Sequence, residues 1–595
     1  MRKFCAVLLM MLGAIVALAI DVRALGATVY VNQAPVMTVG SPKRAAELAQ
    51  LLSKAPSLTP ISVQGSGSDV RLVAGKTVIR VMAAEGKSAQ LSPQQLAGEW
   101  ASKLRDALKL PALDTPNRTV QVGVGSERLI SVVGTAASAA TGASSNPKVA
   151  TVSKAAMGFK VKGNQLGSTT VKVRSGSQVI TTVVQVLPPA AKFPQSVSAS
   201  VVGDPASPDI VRNAIVSGAQ SQMKMAPNAD VEIVDAKVVS LQQGASTTIQ
   251  AKVRVTAPNT VASEGLVTAK VNNLMVAGKR EGEMWYCNFP ETVMGPGNLF
   301  AADLKEKTPA RMLYHHINAT TDPLVIQVVA VNTFDTPVKI VIMPGDGVPH
   351  KDPVRVGLEA GERFVRNWMT GSGEVISIPA RASVPIAMRR LAPGETMSGL
   401  CYLRVLNGPT NRVLIRTDAV DPRFMDAGWL SAANLATPWS KAGTRKIGPG
   451  FQTPPLSQHI YTEPYKVLES TYQVGGRFAF VWVGQKPISS VDGELALDGN
   501  FGVMYTVKLR VENPTDRAVD VEVVFEASAG YSGAVFIVNN QFQRAPLLQS
   551  KAEYILKKVS VPAGGSQEVT VQTVPLSGSS YPALLTLRPS GLGMK

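Results

Sequence analysis

Val507-Lys508-Leu509-Arg510-Val511-Glu512-Asn513-Pro514-Thr515-Asp516-Arg517-Ala518-Val519-Asp520-Val521-Glu522-Val523 reads as a strand, a polar corner and a second strand. Apolar residues alternate with polar ones on both sides of Asn513, at Val507, Leu509 and Val511 and again at Val519, Val521 and Val523. That is the two-residue period of strands with one buried face. Asn and Asp at the corner satisfy nearby backbone groups. The same N-x-x-D-x-x-V spacing returns in Val328-Val329-Ala330-Val331-Asn332-Thr333-Phe334-Asp335-Thr336-Pro337-Val338-Lys339-Ile340-Val341-Ile342. Further on, Ala392-Pro393-Gly394-Glu395-Thr396 and Pro562-Ala563-Gly564-Gly565-Ser566 each put a Pro/Gly turn before another β-rich run. The repeat predicts two related β-sandwiches, over 280–435 and 486–595, whose Asn and Asp corners are turn chemistry rather than catalytic groups.

Outward from these corners, the stretch 436–485 reads as a connection, because Trp439 to Pro464 includes Gly448-Pro449-Gly450 and Pro454-Pro455. A long irregular segment of this kind also fits a binding loop. Gly357 to Met369 predicts a short helix with Leu358, Phe364, Val365 and Trp368 toward a sheet, capping a sandwich end. After the Pro-rich linker 187–194, residues 195–275 predict a small α+β module. It has a strand at Val197–Val202, a helix opened by Ser207-Pro208, and strands near 231–239 and 247–255.

Residues 27–112 read as a duplicated ββα module. Ser41-Pro42 and Ser92-Pro93 each open a helix, since Ser accepts an otherwise orphaned amide proton and Pro at the next position loses no hydrogen bond. Leu96, Trp100, Leu104 and Leu108 recur every four residues as an apolar stripe. The fold class is therefore mainly β and multidomain, with β-sandwiches and small α+β modules.

Residues 1–26 have the order of a signal peptide, with Arg2 and Lys3 ahead of the apolar run Cys5 to Ala19. A cut after Gly26 is preferred over one after Ala19, and the location is extracytoplasmic, whether periplasmic, cell-surface or secreted. Removing three cations and one acid with residues 1–26 lowers the formal charge of +18 by two. The remaining excess favours acidic partners such as anionic glycans or surfaces. The cations are scattered, so specific nucleic-acid recognition is not expected. No later stretch is apolar enough to span a bilayer after signal removal. Cys287 and Cys401 are then the remaining cysteines, and a bridge between them and two buried free thiols are equal readings. His315, His316, His350 and His459 form no metal-ligand motif, and on a strand His315 and His316 would face opposite ways. No catalytic, cofactor or metal residues are assigned, and the chain is expected not to be an enzyme.

Ser144-Ser145-Asn146-Pro147-Lys148-Val149-Ala150-Thr151-Val152-Ser153, with Phe159 to Gly163 and Leu166-Gly167-Ser168-Thr169-Thr170-Val171-Lys172-Val173, resembles the bacterial immunoglobulin-like group 2 module of adhesins and surface proteins. The resemblance covers roughly 120–187 and implies an immunoglobulin-like domain over 118–188. The segment is similar, more weakly, to the N-terminal domain of pilus-formation secretins. Together these imply an exported, non-catalytic structural or adhesive envelope protein that binds a polymer or a partner protein. A pilus or envelope assembly component and a carbohydrate-active enzyme with accessory sandwiches are the alternatives.

Overall fold

The computed structural model describes residues 20–67, 69–109, 111–226, 229–407, 412–425, 444–462 and 464–592. The apolar run of the signal segment and residues 436–443 of the expected connection lie outside them. The chain divides into two compact units, one ending at Pro189 and including Asn259–Val261, the other holding the remainder.

In the first unit each half of the duplication has three strands rather than two. Val22–Leu25 precedes the Thr28–Val31 and Ala34–Thr38 hairpin, and Ile61–Gln64 precedes Val70–Ala74 and Thr77–Val81. These four-residue edge strands are too short for alternation to reveal. Both Ser-Pro starts hold: Ser41 Oγ accepts from Arg44 N, and Ser92 Oγ accepts from Gln95 N. Leu96, Trp100 and Leu104 share one core with Val29, Leu48, Leu72 and Ile79 from both halves. Val22–Leu25 pairs with Thr28–Val31 across Gly26. A cut after Gly26 would therefore remove a paired strand, whereas a cut after Ala19 keeps it.

Residues 119–187 form an immunoglobulin-like sandwich of a four-stranded and a three-stranded sheet, in which Thr119–Gly123 runs parallel to Gln178–Leu187. Val171 and Val173 point inward with Val120, Val122, Val161 and Phe159. Gly142 lies flat against the Phe159 ring, where a Cβ would come within 2.6 Å.

The second unit opens with the α+β module. Helix Pro208–Gln222 covers strands Ser196–Val202, Asp230–Ala236, Ser246–Thr256 and Ser263–Asn273, the last absent from the sequence reading. Two sandwiches follow. The first comprises β1 (Glu283–Cys287), β2 (Gly297–Lys305), β3 (Ala310–Asn318), β4 (Leu324–Asn332), β5 (Val338–Met343), helix α1 (Pro353–Met369), β6 (Gly373–Ile378), β7 (Ala382–Leu391), β8 (Thr396–Asn407), β9 (Arg412–Val420) and the short β10 (Ile460–Thr462). The second comprises β11 (Tyr465–Gln473), β12 (Ala479–Val483), β13 (Met504–Glu512), β14 (Val519–Glu526), β15 (Val535–Val538), β16 (Gln541–Arg544), β17 (Glu553–Val561), β18 (Ser566–Thr573) and β19 (Ala583–Pro589). The second sandwich thus begins at 465, not 486, and the connection is correspondingly shorter.

Strand order is the same in both sandwiches. One sheet runs β1-β3-β8-β5-β6 and β11-β13-β18-β15-β16, and the other β2-β9-β4-β7 and β12-β19-β14-β17. In each, the leading strand pairs parallel with its neighbour. This topology matches Asn318, not Asn332, to Asn513. Asn318 Nδ2 donates to Asp322 O and Leu391 O, and Asn513 Nδ2 donates to Arg517 O and Val561 O, tying each corner to the strand returning at the Pro/Gly turn. Asn332 makes a third such corner, with Thr336 O and Ile378 O. The shared Asp spacing misled because the Asn alone carries the corner: Asp335 points outward and pairs with Arg381 at 2.8 Å.

Candidate functional site

Strand β3 organises the chemistry of the first sandwich, because its two faces meet different surroundings. Met312 and Tyr314 face the sandwich interior with Cys287 and Cys401, whereas Leu313 faces a second core shared with α1 and the second sandwich. His316 and His315 divide in the same way, the adjacent pair falling on opposite faces.

The Cys287–Cys401 bridge is absent: both thiols are free and buried. Cys287 on β1 is registered with Tyr314, and Cys401 on β8 with Met312, so β3 lies between them. Two inter-strand spacings, roughly 9–10 Å, exceed the Cα separation a disulfide spans. Cys287 Sγ lies 3.1 Å from His316 Nε2, while His316 Nδ1 donates to Pro290 O at 2.9 Å. That donation leaves Nε2 as an acceptor for the thiol proton. Burial pushes the Cys287 thiol up to about 12 and the His316 imidazole down to about 4. The pair is a neutral thiol and a neutral imidazole, the opposite of the thiolate that cysteine nucleophiles require. His350 accepts from the Asp352 amide beside α1, and His459 stacks on Phe289 with centroids 4.2 Å apart. Among the described residues no cluster of His, Cys, Asp or Glu could hold a metal ion.

On the other face of β3, α1 is a wedge rather than an end cap. Asp352 caps it by accepting from Val354 N and Arg355 N. Leu358, Phe364 and Val365 enter the core common to both sandwiches. Gly357 and Gly361, one turn apart, let the 576–577 segment lie directly on the helix, since a Cβ on Gly357 would fall 2.0 Å from Ser577 O. Arg311, fully buried, locks the junction. It donates to Glu281 Oε1 at 2.7 and 3.0 Å and to the carbonyls of Pro464 and Gly502 at 3.1 and 3.0 Å. Tyr465 closes the group by donating its hydroxyl to Glu281 Oε2.

Beside this lock lies a cleft of about 350 Å³, lined by Val202 and Asp204, residues 276–281, Val341, Met343, Trp368, Tyr402, Arg404 and Tyr465. The 276–281 segment is stapled along it by Tyr402 Oη donating to Lys279 O and Arg404 Nη1 donating to Ala277 O. Arg280 lies 4.0 Å over the Tyr465 ring. Glu281 is taken by Arg311, so the cations Lys279, Arg280 and Arg404 face one uncommitted carboxylate in the lining, Asp204. Neither Lys279 nor Arg280 has an ion-pair partner among the described residues. Sequence reasoning did not find this cleft. Its walls come from segments far apart in the chain, and the only local hint is the basic pair Lys279-Arg280.

No family model and no curated protein matches the sequence. Among solved structures, the chain is similar to domains 5–6 of the S-layer protein SbsC, at 14% identity over 28% of this chain and 99% of that one, with a TM-score of 0.12. It is similar to human mucin-like protocadherin EC1-2, at 12% over 28% and 100%, with a TM-score of 0.11. It is also similar to the insect immune protein hemolin, at 9% over 67% and 87%, with a TM-score of 0.20. At this level they say nothing of what this chain binds. The mainly β, multidomain class follows from the sheets themselves. Among the described residues no helix is long and apolar enough to cross a membrane.

Proposed function

We propose that this chain is an exported, non-catalytic scaffolding and binding protein of the cell envelope, and that its cleft holds an anionic residue of an envelope polymer. The observation that carries the reading is the excess of unpaired cations in an apolar, aromatic-walled cleft. Lys279 and Arg280 are exposed, so an anion arriving from solvent reaches them directly, and the half-buried Trp368 beside them offers a flat apolar face suited to a sugar ring. Acidic saccharides carry both the anion and the ring. The group 2 resemblance of 120–187 and the signal-like start support an extracytoplasmic setting, with a mature chain beginning at Ile20.

The test is calorimetric titration of the 20–595 chain with an acidic oligouronate and with a neutral oligoglucoside. The acidic ligand should bind in a salt-dependent way, weaken at least tenfold in a Lys279→Ala/Arg280→Ala variant, and be recovered uncut. Equal binding of the neutral ligand, or indifference to the double substitution, would sink the assignment. Mass spectrometry of the secreted protein should find Ile20 at the terminus; Ala27 would restore the later cut.

A further inference from the structure

The shared topology of the two sandwiches places β1 and β11 in equivalent positions, and their outer edges differ. In the first sandwich that edge is taken by β10, antiparallel, through Glu283↔Thr462, Met284↔Tyr461 and Trp285↔Ile460. At the far side of the same sheet, β6 is joined by Ser196–Val202. The outer edge of β11 pairs with no strand among the described residues. Native sheets blunt such edges with bulges, prolines or charged side chains, lysine above all. Strand β11 has no bulge and no proline, and its exposed charge, Glu469, is paired with Lys508 of the neighbouring β13 at 2.9 Å. Its register with β13 runs unbroken from Tyr465↔Met504 to Gln473↔Glu512. Its one lysine, Lys466, is turned onto the backbone carbonyl of Lys486. Val467 is 60% exposed.

We infer that β11 pairs antiparallel with β11 of a second copy of this chain about a two-fold axis at Ser470, supplying the strand that β10 supplies to β1. The sequence of the strand sets the register. Antiparallel partners share a face, so a symmetric pair must centre on a residue. Centring on Glu469 would oppose two carboxylates directly. Centring on Leu468 would enlist Tyr465, already committed to Glu281. Centring on Ser470 pairs residues 467–473 throughout, with Leu468 against Tyr472 of the partner subunit on the core side and Glu469 against Thr471 of the partner subunit outside. Glu469 is the sole charge in that span, and no like charges meet. A two-fold pair uses the β11 edge twice and so closes at that edge.

The experiment is sedimentation velocity of the 20–595 chain across a wide concentration range, with substitutions at the exposed Thr471. A dimer is expected. Thr471→Glu opposes Glu469 of the partner subunit at two symmetric places and should weaken association by about tenfold. Thr471→Lys should preserve or tighten it. Ser470→Cys should cross-link through a short bis-maleimide, the native thiols being buried. Circular dichroism checks that each variant is folded. A monomer at every concentration, or a dimer indifferent to Thr471→Glu and not cross-linked through position 470, overturns the inference.

Discussion

The two sandwiches share one strand order and one Asn-anchored corner, yet differ at the same connection. Between β15 and β16 the chain reverses through Asn539-Asn540, both at positive φ as a tight hairpin turn requires. Between β5 and β6 it detours through α1, which buries itself between the sandwiches. The first sandwich also has both edges of its longer sheet covered, whereas in the second β11 has no strand on its outer edge among the described residues. The lesson is that the frame is held by short-range hydrogen bonds at the corners, while insertions and edges give each copy its task. One copy is built inward as a junction; the other presents an edge outward.

The comparison breaks most visibly at Arg311. Arg311→Met strands the buried Glu281 carboxylate and frees two carbonyls, and should cost about 3–5 kcal/mol. Chemical denaturation should then show separate transitions for the two sandwiches; a single unshifted one would remove the lock. Next come the equivalent corners. Asn318→Ala and Asn513→Ala should each cost about 2–3 kcal/mol, because each removes a buried amide from one carbonyl of its own corner and one of the returning strand. Similar losses in thermal unfolding would sharpen the match of Asn318 with Asn513, and a marked inequality would dissolve it.

Gly357→Ala should cost about 1–3 kcal/mol, since its Cβ would meet backbone at Ser577. Gly361→Ala should cost less, meeting only the movable Leu576 side chain. Equal effects would argue that α1 can shift freely on the second sandwich.

The smallest effect at neutral pH concerns the histidines, which the second sandwich lacks entirely. Burial lowers His315 from 6.5 to about 3, helped by neighbouring His316, and lowers His316 from 6.5 to about 4. Both folded-state values lie below the unfolded one, so the unfolded chain takes up protons first. Stability present above pH 6.5 is lost as pH falls toward 4 and 3. The denaturation midpoint of the first sandwich should fall over that window while the second, judged by this mechanism, holds. His315→Gln should flatten the decline; an unchanged slope would assign the acid sensitivity elsewhere.

Much of the frame was legible in the chain alone. The alternation around Asn513 gave β13 and β14, Ser-Pro gave helix starts at Pro42, Pro93 and Pro208, and the Pro/Gly turns at 392–396 and 562–566 marked equivalent returns. The pairing of corners was not legible, because N-x-x-D recurs at Asn332 while the true counterpart, Asn318, lacks that Asp. The lock was hidden for a different reason: Arg311 finds its carbonyl partners 153 and 191 residues away.

By itself the sequence determined what depends on neighbours a few residues apart: strand alternation, turn residues, helix caps and the basic excess. The tertiary structure alone decided that β3 separates Cys287 from Cys401, that His316 meets the Cys287 thiol while His315 lies near Glu291, that α1 is a wedge, and that a basic cleft opens beside Arg311. Those outcomes rest on contacts between residues distant in the chain, whose registers are set by packing across sheets and leave no periodic trace in the sequence.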